Sequence, residues 1–358
     1  MYTLSIMMVL ITILALGFVI FVHEMGHLIF AKWGGVGVYE FSIGMGPKIW
    51  GFRYKETDYN LRCLPFGGFV KLAGLDQPED EENEAVFFQN RPMIWRMLTI
   101  IAGSCMNVLF GFMLFMVLTF FTGVTLPVID HVVDQTPASL QGLQVNDELI
   151  SINGEPIQHV QRDFVAKIQQ EDTLFNIEVN RQGQRQEIAI QPYFDEEFQF
   201  YRLGIKLKTE ERFFPVLSHA CVKAGEMTLF SIQMVFKSIG MLFNGEASIK
   251  DLSGPVGIVQ IATFQLSENF LSFINLLAFI SITLGVMNLF PIPVLDGGHL
   301  VLLIFECIFR RPVSERFVQV INNTFAVILI GLTVIVLAND ILLWTDRIDM
   351  LEQMNSND

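Results

Sequence analysis

The sequence predicts a multi-pass α-helical membrane protein with four transmembrane helices, a membrane-associated β-hairpin region and one inserted soluble α+β module. Three observations carry this. Only 17% of the residues are charged, against about 25% in a soluble domain, and the mean hydropathy is +0.46. Four stretches are long and apolar enough to cross a bilayer, which takes about 20 residues at 1.5 Å per residue. Between the second and third of them, residues 124–210 change to short apolar runs broken by turn residues. The net charge of −14 argues against nucleic-acid binding.

The first apolar stretch covers residues 4–30. It lacks a basic leader and is too long for a signal-peptide core, so it is expected to be retained. Gly34-Gly35 should end it. Near its end stands His23-Glu24-x-x-His27. On a helix, residues four apart share one face, so both imidazoles can hold one Zn²⁺. A bound zinc lowers the pKa of water from about 15.7 toward 7. Glu24 is placed to take the proton and pass it to a leaving amine, the logic of metal-assisted peptide hydrolysis. The competing reading is two helix histidines beside an incidental Glu. The apolar setting opposes it, because ionisable groups at hydrocarbon depth are costly and mark function.

Residues 39–50 and 59–71 alternate apolar and polar positions between Gly and Pro, which predicts β-hairpins. They are either a compact surface hairpin or an edge strand to which an extended substrate adds. The acidic run at residues 76–84 reads as a solvated loop. Residues 92–121 hold the second span. Gly103 and Ser104 there allow close helix approach, and Asn107 is a buried polar group in need of a partner. Asn107 either serves helix packing or faces the zinc site or the substrate backbone.

Residues 215–245 are apolar but interrupted by His219, Lys223, Glu226 and Lys237, the pattern of an amphipathic helix on the membrane surface, with a distorted span as the alternative. Residues 253–258 read as a turn. The third span, residues 270–290, runs into Asn288-x-x-Pro291-x-Pro293-x-x-Asp296-Gly297-Gly298-His299, where prolines and glycines should break the helix. Irregular backbone at membrane depth survives only where protein or a cavity covers it. Asp296 in that break is the candidate third zinc ligand. His299 competes with it, or orients another group, or is solvated. Residues 322–343 form the fourth span. The four cysteines are scattered and indicate neither disulfides nor a thiolate metal site.

The expected organisation is therefore a first part of the membrane core over residues 1–123, the soluble module over 124–210, the amphipathic region over 211–252, a second core part over 253–345 and a polar tail over 346–358. Lys32, Lys48, Arg53, Lys55, Arg62, Lys71, Arg91 and Arg96 follow the first span, and Arg310, Arg311 and Arg316 lie between the third and fourth. By the positive-inside rule these segments face the cytoplasm, and the module faces outward. His23, His27 and Asp296 then share one depth.

Two resemblances follow from these residues. Gln135-Thr136-Pro137-Ala138 through Asn153-Gly154, with Leu203-Gly204-Ile205, resembles a PDZ domain of the permuted bacterial order, whose groove helix would be residues 162–170. The whole chain resembles the site-2-type intramembrane zinc metalloproteases of the bacterial regulator-of-sigma-E protease family (peptidase family M50). That likeness rests on His23-Glu24-x-x-His27, Phe41-x-Ile43-Gly44-x-Gly46-Pro47, Pro65-x-Gly67-Gly68-x-Val70-Lys71, Gly103-x-x-x-Asn107, Ser253-Gly254-Pro255-Val256-Gly257-Ile258 and Asn288-x-x-Pro291-x-x-x-Leu295-Asp296-Gly297. The resemblance implies that His23, His27 and Asp296 bind zinc and Glu24 is the general base and acid. It further implies that the hairpin around Gly67 and Gly68 holds extended substrate, and that Asn288 and Asn107 contact its backbone. Substrates would be single-span membrane proteins: anti-sigma factors trimmed by another protease, and remnant signal peptides. The PDZ domain would restrict their entry. The chain departs from the family in having room for one PDZ domain where many relatives have two. It also has Ser104 where Pro is common. A zinc transporter and a catalytically silent PDZ scaffold are the alternative functions; neither needs Glu24.

Overall fold

The computed structural model describes residues 6–75, 86–121, 124–157, 160–170, 172–195, 200–210, 217–245, 253–311 and 313–342. The chain forms two compact units, one of residues 1–118 with 218–356, the other of residues 119–217 with the last two. The acidic run expected to be a loop lies outside the described residues.

In the first unit, α1 (Ile6–Trp33) and α2 (Met93–Phe121) are followed, after the second unit, by α5 (Leu217–Phe243), α6 (Pro255–Glu268), α7 (Phe270–Asn288), α8 (Asp296–Phe309) and α9 (Glu315–Leu342). Four helices are long and apolar enough to span a membrane: Ile6–Trp33, Met93–Phe121, Phe270–Asn288 and Arg316–Leu342. These are the four spans the sequence predicts, the last beginning several residues earlier. α5 buries one stripe, Ala220, Ala224, Thr228, Ser231 and Val235. Spacings of three and four place these residues on one face. Ala224 and Val235 pack with Phe115 of α2 and with Ala278, Ile282 and Val286 of α7.

Residues 253–258 differ from the expected turn. Pro255 starts α6, and the buried carboxylate of Asp340, from the last span, accepts hydrogen bonds from the Gly254 and Gly257 N–H groups at 3.0 and 2.9 Å. A carboxylate on orphan N–H groups at a helix N-terminus is a favourable cap, and here it ties α9 to α6. The sequence hides the cap because the capping side chain lies more than eighty residues away. α8 is also new: after the Pro-rich break the chain becomes helical again at Asp296. Arg96 grips Glu306 of α8 through two hydrogen bonds of 2.8 Å, fixing α8 against the start of α2.

Between α1 and α2 lies the expected hairpin, β1 (Val38–Tyr54) and β2 (Thr57–Leu72). Both strands bend so that four segments lie side by side, in the order 48–54, 57–62, 38–43, 68–72. Residues 68–72 pair with 38–43 and, among the described residues, with no second strand. The outer segment exposes Ile49, Trp50, Phe52 and Tyr54, a face suited to lipid.

A polar hub holds the bend together. Glu40 Oε1 accepts from Ser42 Oγ (2.6 Å), Asn60 Nδ2 (2.7 Å) and Arg62, while Lys71 Nζ lies 3.4 Å from Oε2. Burial pushes the Glu40 carboxyl upward, but the donors Ser42, Arg62 and Asn60 and the Arg62 charge overcome it and hold it down at about 2, against an ordinary 4.5. A depressed acid stabilises the fold above its unfolded pKa and loses that contribution as pH falls through the folded one. Wild type should therefore lose thermal stability in detergent between about pH 4.5 and pH 2, and Glu40→Gln should be less stable at neutral pH with a flatter acid limb. Identical acid limbs would remove Glu40 from this role.

The second unit contains β3 (Val124–Val132), α3 (Pro137–Leu140), β4 (Glu148–Ile152), β5 (Glu155–Pro156), α4 (Ala166–Gln170), β6 (Phe175–Arg181), β7 (Gln184–Ile190), β8 (Tyr193–Asp195), β9 (Phe200–Arg202) and β10 (Ile205–Glu210). Its main sheet runs β10-β3-β4-β6-β7, with β5 on β4, and β8 pairs with β9. Ile129, Leu149, Ile152, Phe164, Ile177 and Val179 are among its core. A helix stands near the residues expected, as a wide helical turn, Val160–Val165, running into α4. Gly204 lies just before β10, which is a sheet edge: it pairs with β3 alone among the described strands.

Candidate metal centre

His23 and His27 lie one turn apart on α1 and are nearly inaccessible, at 6% and 8% exposure. Asp296, in the first turn of α8, aims its carboxylate between them. Asp296 Oδ2 is 3.2 Å from His23 Nε2 and 3.4 Å from His27 Nε2, and the two Nε2 atoms are 3.2 Å apart. Ligands about 2.0–2.1 Å from one tetrahedral ion stand about 3.3 Å from each other. The triangle therefore has the edges that three ligands of a tetrahedral Zn²⁺ would have. It is the one group of three such ligands among the described residues, and His299 is not part of it.

Two details support the fit. Asp296 Oδ2 is buried with no hydrogen-bond partner among the described residues. A buried anionic oxygen without a donor calls for a cation. His27 Nδ1 lies 2.8 Å from the Thr99 carbonyl oxygen. A carbonyl can only accept, so Nδ1 carries the proton and Nε2 keeps its lone pair for a metal.

The break after α7 delivers Asp296. Leu295 N–H bonds the Ile292 carbonyl at 3.1 Å and closes a turn. Val294 within it has φ of +82°. A β-branched residue there is strained by about 1–3 kcal/mol, and such strain collects where a site demands an unusual backbone path. On the other side, α2 passes so close to α1 that a Cβ on Gly103 would stand 2.3 Å from His27 Nε2. Gly103 is thus the room His27 occupies.

Glu24 is half-buried and abuts the hairpin: a Cβ on Gly68 would lie 3.0 Å from Glu24 Cγ and 2.9 Å from the Ser42 carbonyl oxygen. Gly68 pairs with Ile43, and Gly67 beside it has φ of +81°, a conformation natural to glycine. The unpaired edge 68–72 therefore begins at the candidate base. Asn288, at the last turn of α7, places Nδ2 3.3 Å from His23 Nε2, at the same corner as the metal triangle. Asn107 faces the candidate zinc site, one of the two directions expected of it. It is fully buried, and its amide faces His23 Nδ1, on the side of the ring away from the triangle. The Thr99 contact was invisible in sequence because it uses a main-chain carbonyl, which any residue supplies.

With this geometry in place, comparison with known proteins gives one consistent answer. The profile of Peptidase family M50 matches residues 11–332. A protein of Clostridium acetobutylicum named as a candidate zinc metalloprotease is 33% identical over 343 residues, covering 93% of this chain and 97% of the relative. Similarly named proteins of Clostridium perfringens and Campylobacter jejuni are 32% and 31% identical, covering 94% and 92% of this chain and 99% and 92% of theirs.

Proposed function

We propose that this chain, which belongs to peptidase family M50 and is a zinc metalloprotease, hydrolyses peptide bonds inside the transmembrane segments of single-span membrane proteins. The observation that carries this reading is the His23–His27–Asp296 triangle built partly on an apolar helix long enough to span a bilayer, with Glu24 beside it. His23, His27 and Asp296 hold the ion. When bound, zinc supplies Lewis acidity, polarising the scissile carbonyl and acidifying water.

The side chains do the rest. Glu24 accepts a proton from the attacking water and returns it to the departing amine, so it serves as base and then acid. The Asn288 amide N–H, with Nδ2 3.3 Å from His23 Nε2, is read as the donor to the carbonyl oxygen as charge develops there. A helical substrate hides its carbonyls in intrahelical hydrogen bonds and must unwind first. Residues 68–72 offer an unpaired strand edge that replaces the lost bonds, and Gly68 brings the extended chain to Glu24. The exposed aromatic segment 49–54 seats the hairpin in lipid.

The second unit is read as a PDZ domain on the motif from Gln135 to Gly154, the edge strand β10 and the helix at residues 160–170. It faces outward from the bacterial cytoplasmic membrane and limits entry to trimmed substrates, anti-sigma factors and remnant signal peptides among them. The metal centre lies toward the cytoplasmic side. Unwinding gives the test. Replacing one helix-destabilising Gly with Leu in a substrate span adds up to about 1 kcal/mol of helix stability, so cleavage should slow about fivefold. Cleavage rates unchanged across a series of such substrates would contradict the strand-addition step.

A further inference from the structure

We propose that Asn107 is a positioning residue for His23: its side-chain carbonyl accepts a hydrogen bond from His23 Nδ1–H and so presents Nε2 to zinc. This rests on the reading of His23 as a zinc ligand. His23 Nε2 points into the triangle, 3.2 Å from Asp296 Oδ2. With that lone pair committed, the ring proton must be on Nδ1, and Nδ1 needs an acceptor. The group facing Nδ1 is the Asn107 amide, its Nδ2 at 3.4 Å.

Two donors facing each other cannot bond. The other end of the same amide, Oδ1, is buried with no partner among the described residues. One half-turn of the amide about χ2 exchanges the two atoms without changing the space filled. It places Oδ1 against His23 Nδ1–H and ends both deficits. Nothing about Asn107 is accidental to packing alone. It is fully buried, its own main-chain carbonyl accepts from Ser281 Oγ at 2.8 Å, and Gly285 of α7 backs closely on the α2 turn that carries it.

The arrangement also explains a spacing. His23 and His27 are four apart on α1; Asn107 and Gly103 are four apart on α2. Each α2 position serves one histidine, Gly103 giving His27 its space and Asn107 giving His23 its proton acceptor. His27 obtains the equivalent acceptor from the Thr99 carbonyl. The two imidazoles are thus oriented by the same neighbouring helix, one through main chain and one through side chain.

The experiment is zinc affinity, measured on the full chain in detergent by competition with a chelator, alongside thermal unfolding. Asn107→Leu and Asn107→Ala remove the acceptor; Asn107→Asp keeps one. The two former variants should weaken zinc by about 10–100-fold, and Asn107→Asp should stay within a few-fold of wild type. A folded Asn107→Ala with wild-type affinity, or Asn107→Asp as weak as Asn107→Ala, would overturn the assignment. His23→Ala is the control for the underlying reading: if it too keeps wild-type affinity, the ligand set itself fails.

Discussion

Glu24→Gln should lower the rate of substrate cleavage by about 10²–10⁴-fold while zinc content and fold are unchanged. Glutamine keeps the size and polarity of Glu24 but cannot take a proton from water at neutral pH. Glu24 is not part of the ligand triangle, so the ion should stay. Cleavage of a tagged single-span substrate and bound zinc per chain, measured on the same preparation, separate the readings. A transporter that uses His23, His27 and Asp296 to pass zinc would tolerate this change, and a scaffold would not register it. Full cleavage by Glu24→Gln would assign proton transfer to another group.

Gly103→Ala should be nearly as damaging by a different route. The new methyl would stand 2.3 Å from His27 Nε2, well inside contact distance, and His27 is held on its far nitrogen by Thr99. The imidazole must leave the triangle or α1 and α2 must part. Either outcome should weaken zinc by at least about 10–100-fold, the scale seen when a ligand's support is disturbed. Gly331→Ala is a matched control, because a Cβ there meets nothing within 4 Å. Wild-type zinc affinity in Gly103→Ala, measured by chelator competition, would mean that α1 and α2 are less tightly packed than described.

Much of this site is legible in the sequence because its parts are local. The i, i+4 spacing of His23 and His27 fixes a helix face, and the apolar run around them fixes the setting. Asp296 could be singled out because prolines and glycines in a hydrophobic stretch force irregular backbone, and an acid there needs a reason. The hairpin is legible from alternation and its glycines, although not its bend into four segments, which depends on the Glu40 hub joining residues twenty apart.

What could not be read is nonlocal. Asp340 caps a helix that begins far earlier in the chain, and Asn107 faces a histidine carried on another helix. α8 is hard to read locally, because its amphipathic fourteen residues are too short for a span and follow a strong break signal. For Asp340 and Asn107 the deciding partner comes from a distant segment, and no local pattern encodes it.

The most direct test of zinc-dependent hydrolysis within a span is to place the purified chain and a trimmed single-span substrate in liposomes and map the cut bond by mass spectrometry. The account predicts a cut inside the apolar segment of the substrate, lost on chelation and restored by added zinc. A cut confined to flanking soluble sequence, or cleavage indifferent to the chelator, would contradict it.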